Sequence, residues 1–442
     1  MTSTRARSPR PFPLRILTPA RATLTRAPVL DQRAVRDARA IIADVERLGW
    51  SEVLRHARRL GDLPARASRT HRAVYEPRQL KAALEALPRD DRDALTRAAE
   101  RIERFARAQR AALRDLSLRA GPYRVGHRVV ALPAAGCYAP GGRFPLPSSV
   151  LMTAITARAA GVEHVWVASP RPAPITLAAA SLAGADALLA VGGPQAIAAL
   201  ALGAGPVPRC DVVVGPGNRY VTAAKYLVSD RCAIDMLAGP SEVLIIADDS
   251  ASPATIASDM LAQAEHDPDA SCALLTPSRP LILQVRRELA LQLESLSTRP
   301  TARAALANSF AVRVASLDEA ADLANRLAPE HLQLCCENPR SLAPALHAYG
   351  AIFIGEQAAE VLGDYGVGPN HTLPTGGSAR WAQGLSVFSF LRVRTFVESP
   401  TPATARGAAR SDQIVRDTVR LARLEGLEAH ARAAERRLRT QA

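Results

Sequence analysis

The sequence predicts an α/β protein: two βα lobes, each a parallel sheet covered by helices, set between an N-terminal arm and a helical C-terminal tail. Three observations carry this expectation. Short apolar runs suited to strands alternate with Ala-rich helical stretches, the alternation comes in two series, and glycine-rich turns punctuate the first series. With 442 residues, 48% of them apolar, the chain has material for more than one packed core.

The elements follow in order. Residues 1–30 carry six Arg and no acid, with Ser and Thr between them, which is the composition of an organelle transit peptide. Pro9, Pro11, Pro13 and Pro19 interrupt any helix there, so a flexible N-terminal arm is the preferred expectation. Residues 31–133 form a helical segment leading into the catalytic lobe, with Val35, Ala38, Ile42 and Val45, then Leu95, Ile102, Phe105 and Ala106, at helical spacing. Strands are expected at 128–132, 164–168, 187–191 and 211–214, and a second series at 243–247, 272–275, 312–315, 332–335 and 351–354. The Gly239-Pro240 turn is the expected crossing, giving a nucleotide-side lobe at 134–240 and a catalytic lobe at 241–385, both Rossmann-like. Past Ser386 the rhythm stops. An extended piece through Val397 and a final helix from about residue 411 to 438 make residues 386–442 a tail that docks on its own body or on another subunit.

Composition excludes several classes. No apolar run approaches the roughly 18 residues a membrane span needs. The net charge of +14 comes from Arg scattered among acids along helices, without aromatic interleaving, so no nucleic-acid partner is expected. Cys137, Cys210, Cys232, Cys272, Cys335 and Cys336 lack C-x-x-C spacing and suit buried, reduced thiols in a cytoplasmic protein. Cys137, beside a glycine turn, is also a conceivable nucleophile.

Chemistry-bearing segments come next. A dinucleotide needs backbone amides and close approach at its phosphates, and Gly136 to Gly142, Val191-Gly192-Gly193 and Gly215-Pro216-Gly217-Asn218 offer them. None is a G-x-G-x-x-G fingerprint, and each equally suits an ordinary strand-to-helix turn. Tyr220 and Lys225, five apart, do not share a helix face, so a Tyr-Lys catalytic pair is set aside. The segment 253–266 reads as a helix capped by Ser252, with Gln263 and His266 on one face near its end, where metal ligation and plain surface polarity are both open. A helix over 318–327 stops before Pro329-Glu330-His331, which places an acid and an imidazole side by side ahead of an apolar strand. Such a pair can take protons from an alcohol and from water, or can be two polar loop residues. Residues 363–380 read as a long polar loop carrying Asp364 and His371. Glu425 and His430 lie in the tail helix and mean little alone.

Together these stretches resemble the histidinol dehydrogenase family from about residue 31 to the last helix. The strings are Tyr138-x-Pro-Gly-Gly with Pro145-Leu-Pro-Ser, Val214-Gly-Pro-Gly-Asn218, Ala238-Gly-Pro-Ser-Glu242, Leu261-Ala-Gln-Ala-Glu-His-Asp267, Ala328-Pro-Glu-His-Leu332, Gly368-Pro-Asn-His-x-Leu-Pro-Thr375 and Glu425-Gly-Leu-x-Ala-His430. The resemblance implies oxidation of L-histidinol to L-histidine through bound L-histidinal, with two NAD. It implies a homodimer with one Zn2+ per subunit, held by Gln263, His266, Asp364 and His430, the last donated by the neighbouring tail. Glu330 and His331 are the implied catalytic pair: His331 as base for the alcohol, Glu330 as activator of water. Ser241, Gln263, His266, His331, Asp364, His371, Glu425 and His430 are implied substrate contacts, and Tyr138, Gln195 and Asn218 implied NAD contacts.

The chain departs from that pattern at Ala134, where Arg is expected, at Ala139 for Val, at Arg143-Phe144 for smaller residues, and at Trp381-Ala382 for a Phe-Ser type pair. These bear mostly on NAD contacts. The nearest rival expectation is a relative on the same scaffold acting on another small alcohol such as a sulfonated diol. A non-catalytic binding protein is the rival from another class.

Overall fold

The computed structural model describes residues 12, 14–22, 24, 29–65, 72–121, 123–141, 145–365, 367–399 and 405–438, with 405–412 as backbone only. Pro9, Pro11 and Pro13 of the arm, Gly142, Arg143 and Phe144 of the first glycine turn, and Gly366 lie outside these. The chain divides into two compact units, one of residues 1–109 and 132–390 and one of 110–131 and 391–442.

Strand β1 (Arg15–Leu17) opens the chain, in a stretch expected to be a flexible arm. It pairs in parallel with residues 310–312, and Phe12 and Leu14 are buried, with the Phe12 amide donating to the Arg286 carbonyl at 2.9 Å. The apolar residues of this stretch thus complete a sheet edge. Helix α1 (Gln32–Leu48) starts at Asp31, whose side chain accepts from the Ala34 amide, and buries Ala34, Val35, Ala38, Ile41 and Val45. Helix α2 (Trp50–Arg59), strand β2 (Val74–Tyr75), helix α3 (Pro77–Glu85) and the long helix α4 (Arg89–Ala112) follow. Strands β3 (Leu116–Ala120) and β4 (Tyr123–Ala131) then form an antiparallel hairpin.

That hairpin corrects one expectation. Residues 128–131 do not begin the parallel series; they belong to β4, in the second unit. Alternating polar and apolar residues, Arg124 and Arg128 among them, mark a half-exposed antiparallel strand, whereas parallel strands buried on both faces read as unbroken apolar runs.

The first parallel series begins with β5 (Ala134–Tyr138), followed by α5 (Pro147–Ala160), β6 (His164–Ala168), α6 (Pro174–Leu182), β7 (Ala187–Leu189), α7 (Gly193–Leu202), β8 (Val212–Val214), α8 (Arg219–Val228) and β9 (Ala233–Ile234). The sheet runs β2-β7-β6-β5-β8-β9, parallel throughout except for the antiparallel edge strand β2. Ala196, Ala198, Ala199 and Ala201 of α7 are fully buried, and side chains this small let the helix lie close to the sheet.

The second series is β10 (Glu242–Ala247), α9 (Pro253–Ala264), β11 (Ser271–Thr276), α10 (Arg279–Ser295), α11 (Arg299–Ala307), β12 (Phe310–Arg313), α12 (Leu317–Leu327), β13 (His331–Cys335), α13 (Pro339–Leu342), β14 (Ala351–Ile354) and α14 (Glu360–Tyr365). Its six strands, β1-β12-β11-β10-β13-β14, are all parallel. Every residue of β10, β11 and β13 is buried. At roughly 1.5–3 kcal/mol for each large aliphatic side chain taken from water, these central strands dominate the stability of the sheet. The polar stretch 363–380 is not all loop: its first three residues are the last turn of α14. A Cβ at Gly363 would meet the Phe353 ring at 2.7 Å, so glycine lets that helix lie against β14.

In the second unit β15 (Leu391–Glu398) pairs antiparallel with β4 over its whole length, giving the sheet β15-β4-β3. The single tail helix expected over 411–438 is two, α15 (Ala405–Leu424) and α16 (Glu428–Glu435), because Gly426 takes φ +76° between them. Among the described residues no helix is long and apolar enough to cross a membrane.

Candidate active site

The two parallel sheets of the first unit offer different ends to chemistry. In the first, the chain winds outward from β5 to β7 and returns to β8, so the order reverses between β5 and β8. Ligands of open α/β sheets sit at the carboxyl ends of strands at such a reversal. Tyr138 ends β5 there, and the Gly215-Pro216-Gly217-Asn218 turn leaves β8. Gly215 has φ +114°, and a Cβ on it would fall 1.9 Å from the Tyr138 carbonyl oxygen, so only glycine fits.

The expected cofactor contacts are placed around this end. Tyr138 is buried and its hydroxyl accepts from the Gly193 amide at 3.3 Å; burial pushes the phenol up to about 12. Gln195, 1% exposed, donates to Asp62 at 3.3 Å while its oxygen has no partner among the described residues. Asn218 caps α8, its oxygen accepting from the Tyr220 and Val221 amides. Gln195 and Asn218 line a cavity of about 710 Å³ with Asp44, His56, Arg59 and Asp62. Asp62, which the sequence reading missed, also accepts from the Gly192 amide at 2.9 Å, and burial raises its pKa.

Asp44 and His56 of that lining and the nearby Glu52 are close enough to share a cation. Their partners are already cationic: Arg55 reaches Glu52 at 2.6 Å and Asp44 at 2.9 Å, and Arg59 lies 3.1 Å from the His56 ring. A second cavity of about 820 Å³ joins Gly217 and Asn218 to Gly239, Pro240 and Ser241, linking the glycine turn to the second sheet.

In the second sheet the polar groups gather at the amino ends of β10 and β13, which pair in the register Val243 to His331. The chain arrives at β13 through Ala328, a non-glycine residue with φ +45° that closes α12, and then Pro329. This sharp turn from helix to strand delivers Glu330 and His331 to the strand's start, where strain of this kind is often found at functional positions. One Glu330 oxygen accepts from the Ser241 hydroxyl at 2.5 Å and the Glu242 amide at 2.9 Å. Burial nonetheless holds its carboxyl well above the ordinary range, against those two bonds.

The His331 ring, 4% exposed, places Nδ1 3.1 Å from the Glu242 carbonyl oxygen. A carbonyl only accepts, so Nδ1 carries the hydrogen and Nε2 keeps its lone pair. Nε2 is buried without a partner among the described residues. Burial pushes the imidazole down to about 3, so it is neutral at ordinary pH. His371 is the same kind of group: Nε2 is buried without a partner among the described residues, and the ring is pushed down to about 4 by burial. His331, Phe353, Asp364, Asn370 and His371 line one cavity of about 310 Å³. Asn370 itself is structural, its amide nitrogen tying the loop to the Met152 carbonyl at 2.8 Å.

Helices α9 and α14 bring the metal-type groups. Gln263 is fully buried; His266 lies just past the end of α9, 3.9 Å from Asp364 of α14. Burial raises the Asp364 carboxyl to about 6. Donor atoms of His266, Asp364 and Glu360 lie within 4.8 Å of one another. Glu360 was not singled out from sequence: a glutamate in a short helix resembles any surface acid, and only its spacing of four from Asp364 was a signal.

Ser241, Gln263, His266, Glu330, His331 and Asp364 are thus gathered about β10, β13, α9 and α14, with His371 on the cavity that His331 and Asp364 share. Glu425 and His430 belong to the second unit, and both are exposed there. Cys137 is fully buried and its thiol is pushed up to about 12, which removes it as a nucleophile; all six cysteines are free and buried. Lys225 is buried against Asp235, and no Tyr-Lys pair forms.

A neutral imidazole with a free lone pair, a neighbouring carboxyl and a group of metal-type donors beside a shared cavity define an α/β fold with the groups of an enzyme site. The histidinol dehydrogenase family model matches residues 24–438. The histidinol dehydrogenase of Thermus thermophilus is 48% identical over 81% of this chain and 85% of its own length, and that of Geobacter sulfurreducens 42% identical over 90% and 92%. The crystal structure of histidinol dehydrogenase from Elizabethkingia anophelis matches with a TM-score of 0.88 at 29% identity, covering 96% of this chain and 98% of that one. The chain belongs to the histidinol dehydrogenase family.

Proposed function

We propose that this protein oxidises L-histidinol to L-histidine in histidine biosynthesis, keeping L-histidinal bound between two hydride transfers. The observation that carries the reading is the unpartnered Nε2 of His331, a neutral base on the same cavity as Asp364 and the unpartnered Nε2 of His371. A ligand carrying a hydroxyl and an imidazole supplies the hydrogen bonds that both nitrogens lack.

The donor set fits zinc: an amide oxygen from Gln263, an imidazole from His266 and a carboxylate from Asp364, with His430 of the partner subunit as the fourth ligand. Zinc, when bound, holds the substrate by its nitrogens, and NAD, when bound, accepts the hydride. His331 takes the hydroxyl proton at Nε2 while its Nδ1 bond to Glu242 fixes the ring. In the second half Glu330 takes a proton from water as it adds to the aldehyde carbon, and His331 removes the hydrate's hydroxyl proton. Ser241, His371 and Glu425 orient the substrate. Tyr138, Gln195 and Asn218 stand toward the cofactor.

The tail at 386–442 is read as the dimerising segment, completing the neighbouring site. Exposed Val393, Val397, Leu421 and Leu424 support a partner for it. The nucleotide-side lobe at 134–240 and catalytic lobe at 241–385 are the working division, and six buried free thiols suit a cytoplasmic location.

The test is NADH formation from L-histidinol by zinc-loaded protein, beside a chelated sample and a His331→Asn variant. Two NADH per histidine, lost in both controls, is the expected result. Folded, zinc-bound protein that makes none would retire the reading.

A further inference from the structure

Glu360 has no part in the chemistry proposed above, yet it is 2% exposed at the heart of the cluster. With the Gln263 amide in the orientation that suits Glu360 and Ser241, its nitrogen lies 2.8 and 3.3 Å from the two Glu360 oxygens and 3.3 Å from His331 Nδ1, and its oxygen lies 3.1 Å from the Ser241 hydroxyl. The opposite orientation sets oxygen against oxygen. The two ends of an amide are nearly the same size and chemically opposite, because only the oxygen has a lone pair to give a cation.

We infer that Glu360 is a positioning residue: by accepting the Gln263 N–H it turns the amide so that oxygen, not nitrogen, is offered to the metal. The inference rests on the zinc reading above. Metal ligands are commonly held this way by a buried acceptor behind them, and loss of such a partner costs roughly 10–100-fold in metal affinity. Glu360 is also near enough to His266 and Asp364 to be taken for a ligand itself. The Glu360 oxygens argue otherwise: both lie against the Gln263 nitrogen, at 2.8 and 3.3 Å, so they are already engaged as acceptors.

The experiment is a double-mutant cycle read as zinc affinity, by competition with a chromophoric chelator, on full-length protein. Glu360→Gln, an isosteric change, is expected to weaken zinc by about tenfold or more. In a Gln263→Met background the same change is expected to alter affinity by less than about twofold, because there is no amide left to orient. Glu360→Gln with Gln263→Glu, which exchanges donor and acceptor, is expected to recover most of the loss. Thermal melting of the metal-free variants separates misfolding from lost affinity. Multiplying effects of Glu360→Gln and Gln263→Met would make Glu360 a ligand in its own right and overturn the inference, as would unchanged affinity in Glu360→Gln. Wild-type protein that binds no zinc would overturn the zinc reading as well.

Discussion

Nδ1 of His331 is tethered at 3.1 Å to the backbone carbonyl of Glu242, a residue on the neighbouring strand and 89 positions earlier in the chain. The tether settles the tautomer and leaves the lone pair on Nε2, so the proposed base is oriented before any ligand arrives. His331→Asn keeps a donor for the Glu242 carbonyl and removes the base. Steady-state NADH formation from histidinol is expected to fall by about 10²–10⁴ in kcat, with zinc affinity by chelator competition unchanged. Equal loss of zinc binding would assign the imidazole to the metal instead.

Glu330 is held by Ser241 and the Glu242 amide, so Glu330→Gln retains an acceptor in the same place while losing the ability to take a proton from water. In the proposed mechanism the first oxidation does not require that proton transfer. A rapid-mixing experiment is expected to give about one NADH per site in a burst, followed by turnover slowed about 10²-fold or more. A variant without a burst would place Glu330 in the first step.

The two residues should move stability with pH in opposite directions. Burial lowers the His331 pKa to about 3 from an ordinary 6.5, so below 6.5 the unfolded chain takes up a proton that the folded one refuses. The stability of the neutral imidazole is full above 6.5 and is lost as pH falls toward 3. Glu330 is raised, so its folded form keeps a proton that the unfolded chain gives up, and stability is lost as pH rises from 4.5 toward its folded value. Measured by urea unfolding, His331→Asn is expected to gain on the wild type as pH falls below 6.5. The slope approaches about 1.4 kcal/mol per pH unit. Glu330→Gln is expected to gain as pH rises above 4.5. Parallel curves for wild type and both variants would show that neither group is held away from its ordinary pKa.

These groups were unequally legible in the sequence. Glu330 and His331 are adjacent, so an acid–imidazole pair could be read directly, but the carbonyl that orients the ring comes from a strand that lies 89 positions earlier in the chain. Fully buried parallel strands were readable as apolar runs: β10, β11 and β13, expected at 243–247, 272–275 and 332–335, run over Glu242–Ala247, Ser271–Thr276 and His331–Cys335. Strand β5 was not, because Ala134-Ala-Gly-Cys-Tyr138 lacks β-branched residues and becomes a strand only through its neighbours β6 and β8. Glu360 and Asp62 escaped notice for a related reason: an acid's burial is a property of the tertiary fold. The prolines of the N-terminal stretch concealed β1, since they argue against a helix and say nothing against a three-residue strand at Arg15–Leu17.

Lys225 and Asp235 form the last device that the sequence did not disclose. Both side chains are almost completely buried and joined by an ion pair, and each also holds Gly215: Lys225 donates to its carbonyl at 3.0 Å, and Asp235 accepts from its amide at 2.7 Å. The turn that must pass close over Tyr138 is therefore clamped from below by a pair that cannot lose one member cheaply. Lys225→Met leaves a buried carboxylate without its cation and is expected to cost about 3–5 kcal/mol in urea unfolding. Adding Asp235→Leu removes the stranded charge, so the double variant is expected to recover part of that loss rather than deepen it by the same amount. Because the clamp sits under the cofactor side, the double variant is expected to raise the KM for NAD while leaving zinc affinity as it was. An unchanged KM would mean that the turn keeps its shape without the pair.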